Sequence, residues 1–268
     1  MRIRKIIIFS SILMTLLYIF SININANDDI ASSYNLIDKL SDVIKIHKNK
    51  YKKLDDYHLL NIEENVIYTE GLSQSYYNNL FNKKSNYKID GTCSIISSTI
   101  SSIYYLNLCN KLYNYKINID NYNIFKNCLN IAKNNKYFPY EVNGSYHEGT
   151  YSGCVGNIVE ELLNYYNINI KWHIHSSNIL DRIINETNMN NITSIGILNH
   201  DLTGCGYVKI NYSYKKNNIR IKNSDYYYVL LSGWTNSNCN INSNRLYKDY
   251  AFDYLDINKR IDYVICYS

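Results

Sequence analysis

A cysteine acts as a nucleophile when it is accessible, when its thiolate is favoured and when a base is in reach. Cys93 meets the first two conditions through its setting. The run Gly91-Thr92-Cys93-Ser94 opens an apolar stripe of Ile95, Ile96, Ile100, Ile103, Tyr104, Leu106 and Leu108, with Ser97, Ser98, Thr99, Ser101 and Ser102 on the other faces. That pattern predicts a buried helix begun by a Gly-Thr turn. A helix start favours a thiolate through its dipole and its N–H groups, and the same N–H groups can hold an oxyanion. On its own, a cysteine at a helix start is more often packing than chemistry. The base would be His200, which follows the apolar run Ile195 to Leu198 and precedes Asp201-Leu202-Thr203-Gly204-Cys205-Gly206-Tyr207.

Other residues compete for a role. Cys154, in Ser152-Gly153-Cys154-Val155-Gly156, stands at a second helix start, and His147-Glu148 in the preceding loop could line a cleft or simply be solvated. His173 and His175 alternate on a strand-like run and could share one metal, but no third ligand is close in sequence, so no residue is assigned to a metal. No phosphate-cradling glycine loop and no serine nucleophile elbow occur.

These residues need a scaffold. Residues 30–82 read as helical, because Leu36, Ile37, Leu40, Val43, Ile44 and Ile46 recur near the helical period and Leu54, Leu59, Leu60 and Ile62 continue it loosely. Lys83 to Gly91 reads as a loop, Phe125 to Ala132 as a helix before Pro139, and Asn157 to Tyr166 as an amphipathic helix. From Ile168 the pattern turns strand-like: residues 168–174, 192–198, 202–212, 226–231 and 262–267. Helices followed by an antiparallel sheet predict an α+β fold.

The composition narrows the classes further. With 268 residues, 46% hydrophobic, 10 Gly and 1 Pro, the chain is neither collagen-like nor wholly disordered. Its formal charge of +5 is diffuse, and without Arg2, Arg4 and Lys5 it drops to about +2, too little to argue for nucleic acid. The 30 Tyr and the many Asn, Ile and Lys fit AT-rich codon usage. Met1 to Lys5 is basic, Ile6 to Phe20 mostly apolar, and Ser21 to Ala26 ends on a small residue, which predicts a secretory signal over 1–26, export, and no stable membrane insertion once it is removed. The apolar run is short for a span of about 20 residues. Cys93, Cys109, Cys128, Cys154, Cys205, Cys239 and Cys266 lack CxxC spacing; three disulfides with one free thiol, or mostly reduced core thiols, both stay open.

At 91–107, 199–207 and 226–234, and more loosely at 149–166, the chain resembles the papain-like cysteine peptidases, in particular the secreted bacterial streptopain-like and C39-like groups. The resemblance covers roughly a quarter of the sequence. It implies a papain-like fold over 83–268, with a central Cys-bearing helix packed on the C-terminal antiparallel sheet. Residues 27–82 would be a helical N-terminal extension, either an inhibitory pro-segment or a plain one. It implies Cys93 as nucleophile, His200 as general base, and Gly233-Trp234 as the turn that shelters the histidine and borders the substrate cleft. Two positions depart from the pattern. Leu231 stands where a polar residue often orients the imidazole, leaving Asn236, ahead of Ser232 or Asn238, as its substitute. No Gln closely precedes Cys93, the nearest being Gln74, so Asn86 stands in as the oxyanion donor beside the Cys93 N–H. The implied activity is cofactor-free hydrolysis of an extracellular peptide or protein. The alternatives are an inactive extracellular binding module, or an acyltransferase or amidase on the same fold.

Overall fold

A computed structural model describes residues 40–85, 88–137, 140–142, 145–147, 154–197, 200–231, 233, 253–256 and 261–268. The expected signal segment lies outside them, as do Asn86, Glu148, Ser232, Trp234, Asn236, Asn238 and Cys239.

The first helix, α1 (Leu40–Tyr51), buries Val43 and His47, one turn apart. The next element corrects the helical expectation for 30–82. Residues 55–66 form a strand, β1 (Asp55–Val66), antiparallel to β7 (His200–Lys216) from Asp55↔Lys215 to Val66↔Gly206. Two register shifts, between Asp55 and His58 and between Leu59 and Asn61, explain the misreading. Such irregularities break the two-residue alternation of a strand, so Leu59, Ile62 and Val66 reach the core at a spacing that mimics a helix. The main sheet therefore takes residues from both sides of the boundary expected at 82/83.

Helix α2 (Gln74–Lys84) is capped by Ser73, whose hydroxyl accepts from the Tyr76 N–H. A small sheet joins β2 (Lys88–Asp90), β3 (Tyr140–Val142) and β4 (Ser145–His147) in the order β2-β4-β3. Helix α3 (Cys93–Tyr113) is the central element, with every side chain from Cys93 to Leu106 buried. Around it pack α4 (Asn121–Asn134), α5 (Cys154–Tyr165) and β7.

The remaining strands are β5 (Trp172–His175), β6 (Thr193–Ile197), β8 (Ile219–Leu231), β9 (Asp253–Asp256) and β10 (Tyr263–Tyr267), with α6 (Ile179–Asn188) after β5. The main sheet runs β5-β10-β6-β7-β8-β9, and every pairing in it is antiparallel. The α+β expectation thus holds. One edge of β7 is shared: β6 pairs with its first five residues and β1 with the stretch beyond. The β7–β8 hairpin turns on Asn217-Asn218, both left-handed (φ 53 and 62), as a two-residue hairpin that follows strand twist requires. Alternation gives Asp201 and Thr203 to the α3 face of the sheet, where both meet α3 side chains, while Leu202 and Gly204 share the other face with Ile195.

Candidate functional site around the head of helix α3

Left-handed Gly91 (φ 63) turns the chain into α3, and Thr92 forms the N-cap. The Thr92 hydroxyl does not cap the helix; it donates to Asn78 Oδ1 at 2.6 Å, tying α2 to the head of α3. Cys93, the first residue of α3, is 8% exposed. At that position the helix dipole favours a thiolate while burial opposes it.

The next residue reaches the sheet. Ser94 Oγ donates to Asp201 Oδ2 at 2.5 Å, and the Tyr263 hydroxyl donates to Asp201 Oδ1. Asp201 is 1% exposed. Burial raises its carboxyl above the usual aspartate value, and the two hydroxyl donors pull it back down. Burial also pushes the Tyr263 phenol up, helped by Asp201 and, to a smaller extent, by Cys154 and Cys93. Both helix-heading cysteines therefore lie in electrostatic reach of one phenol. The Tyr263 ring covers Gly196 so closely that a Cβ there would come within 2.2 Å of it. A polar seam continues inward from this point. Ser97 meets Thr203 at 3.2 Å, and Ser194 meets the Tyr267 hydroxyl at 2.8 Å.

His200 opens β7, pairs with Ile197 and is 7% exposed. Cys93 precedes Ser94 and His200 precedes Asp201, so one hydrogen bond ties the chain beside the two expected catalytic residues, while strand alternation gives the His200 side chain to the face of β7 opposite Asp201. The third expected piece arrives from the end of β8. Left-handed Gly233 (φ 72) sits against Ile96, one turn along α3 from Cys93, and its carbonyl accepts from the Gln74 N–H at 2.9 Å. Gln74 and Asn78 are four residues apart and share a face of α2. Since Asn78 binds Thr92, that face looks at the head of α3. Gln74 Oε1 is buried and has no hydrogen-bond partner among the described residues.

Two residues here were passed over in the sequence. Gln74 is nineteen positions from Cys93, and only the fold of the intervening chain brings it back. Asp201 looked like a neighbour of His200 and not a group in its own right; an aspartate inside an apolar strand was the available signal. Leu231 ends β8, pairs with Thr203 and belongs to the apolar core. Cys154 heads α5 as expected. His173 and His175 lie on edge strand β5, His173 opposite Cys266, and no group of three metal-ligating side chains occurs among the described residues. The six described cysteines are all free thiols, so a framework of three disulfides is not present among them. Burial pushes the Cys128 thiol up to about 12, marking it as a packing residue. A cleft of about 460 Å³ between α2 and the start of α4 is lined by Glu70, Tyr76, Tyr77 and Tyr122 among others, and includes none of the candidate groups.

Compared with protein-family models, with curated proteins and with solved structures, the chain matched none.

Proposed function

We propose that the chain is a secreted cysteine peptidase of papain-like architecture, working through Cys93 and His200 without a cofactor on a peptide or protein substrate outside the cell. The observation that carries this reading is convergence. Three sequence-distant segments, the start of β7, Gly233 after β8 and the start of α2, meet the first turn of α3. In the reaction, the Cys93 thiolate attacks the scissile carbonyl, and His200 takes the thiol proton and returns it to the leaving amine. Water then cleaves the thioester and frees the acid. The oxyanion is held by the Cys93 N–H and by a side-chain amide: Asn86 lies outside the described residues, and Gln74 is the described amide on the α2 face that looks at the head of α3. A half-turn of the amide puts its NH2 where the partnerless Oε1 now stands. Export is supported by the basic, apolar and small-residue order of the first 26 residues.

A second reading, a fold retained for binding with chemistry lost, is favoured by Leu231, which is buried in the core and has no polar group to offer an imidazole. Iodoacetamide labelling of Cys93 against pH separates the two readings. An active site gives a midpoint well below the free-cysteine value of about 8.5. The midpoint rises in His200→Ala, and Gln74→Ala leaves it in place while slowing peptide hydrolysis by about 100-fold. A midpoint that is the same in wild type and His200→Ala refutes the pair.

A further inference from the structure

Among the described residues Asp201 is the one carboxylate buried at the head of α3, and the proposed reaction does not use it. Its two oxygens divide between two elements: Oδ2 takes the Ser94 hydroxyl of α3 and Oδ1 the Tyr263 hydroxyl of β10. Titratable groups from the elements packed there reach this point: Tyr263 and Tyr267 of β10 both feel Asp201, and Tyr263 also feels Cys93 of α3 and Cys154 of α5. Tyr263 cannot drift, because its ring is seated on the bare backbone of Gly196. A carboxylate fixed on both oxygens in a site closed to water cannot be screened as a surface charge would be.

We propose that Asp201 is a positioning residue for Cys93, fixing the first turn of α3 against β7 and β10 and setting, through its negative charge, the pH at which the Cys93 thiol ionises. The proposal rests on the reading of Cys93 as nucleophile, but its electrostatic content does not need the protein to be active. A buried anion disfavours a second anion beside it, so Asp201 works against the helix dipole.

The test uses the full chain labelled with 13C at the cysteine Cβ, whose shift reports thiol ionisation without a reagent and without activity. Asp201→Asn keeps the shape and removes the charge; the expected result is a Cys93 midpoint lower by about one pH unit, or about tenfold more thiolate at any pH below it. Tyr263→Phe and Ser94→Ala each remove one donor from the carboxylate. In each, the low-pH inflection that Asp201 imprints on the Cys93 shift should move up. These two variants carry the test if Asp201→Asn fails to fold. A Cys93 midpoint unmoved in folded Asp201→Asn, or an inflection unmoved in both hydroxyl variants, overturns the proposal. A midpoint that responds to Asp201 but not to His200→Ala keeps this inference and refutes the catalytic pair.

Discussion

Replacing Gly196 by alanine tests whether the Tyr263–Asp201 clamp is as tight as its geometry says. A Cβ at position 196 would lie 2.2 Å from Tyr263 Cε1 and 2.3 Å from Cζ. Ordinary contact begins near ~3.5 Å, so the ring must retreat by about 1 Å or more. Overpacking of this kind costs about 1–3 kcal/mol. The retreat also takes the hydroxyl away from a buried carboxylate, a charged hydrogen bond of about 1.5–3 kcal/mol. Together these make a loss of about 2.5–6 kcal/mol, a large part of the ~5–15 kcal/mol that holds a domain folded. Urea denaturation followed by tyrosine fluorescence reads this as a lower midpoint at unchanged slope. A double-mutant cycle isolates the cause. In a Tyr263→Leu background the Gly196→Ala penalty should largely vanish, and in Tyr263→Phe only the overpacking part should remain. A Gly196→Ala protein within about 1 kcal/mol of wild type, or an equal penalty in the Tyr263→Leu background, would refute the reasoning.

Two further predictions concern the α1 end of the sheet. His47 is fully buried, 3.1 Å from the Tyr57 hydroxyl and 3.5 Å from Asp225, and burial lowers its pKa below the ordinary 6.5 more than Asp225 raises it. The unfolded chain therefore binds the extra proton first. The His47 contribution is complete above pH 6.5 and is lost as pH falls below it, with a limiting slope of about 1.4 kcal/mol per pH unit. Urea midpoints between pH 5 and 8 should fall more steeply for wild type than for His47→Gln, and parallel curves would sink the assignment. At the β7–β8 turn, Asn218 (φ 62) should tolerate glycine, whereas Asn218→Val should cost about 1–2 kcal/mol in a thermal melt. Equal melting points for the two variants would mean that the turn is not left-handed at that residue.

The sequence showed some of this plainly and hid the rest for identifiable reasons. The Cys93 helix was legible because an apolar stripe with small residues between its members can only be a buried helix. The strands at 193–197 and 263–267 were legible as short apolar runs between turn signals. β1 was not, because its bulges turned a strand's alternation into helix-like spacing. The outer part of β8, residues 219–225, was hidden by its polar composition: beyond β9 it pairs only with β7, and much of it faces water. At the site, Cys93 and His200 stood out by residue type and setting. Gln74 and Asp201 did not, since their significance lies in which distant atoms they approach, and no local pattern encodes that.

The sharing of the β7 edge has a temporal side. Asn65 of β1 meets Tyr207, and Glu64 meets Val208, about 140 residues later in the chain. A ribosome adding about 5–20 residues per second leaves β1 without its partner for roughly 7–30 s after it is made. By contrast, the β7–β8 hairpin closes over two turn residues as soon as both strands exist, within about 1–10 μs. The hairpin is thus the natural template, and β1, made long before it, can be laid on it only once β7 exists. Until that happens, the long edge of β7 is open to any other extended chain nearby, including the β1 of another copy. The yield of correctly folded protein should therefore depend on how dilute, or how well chaperoned, the chain is in that interval.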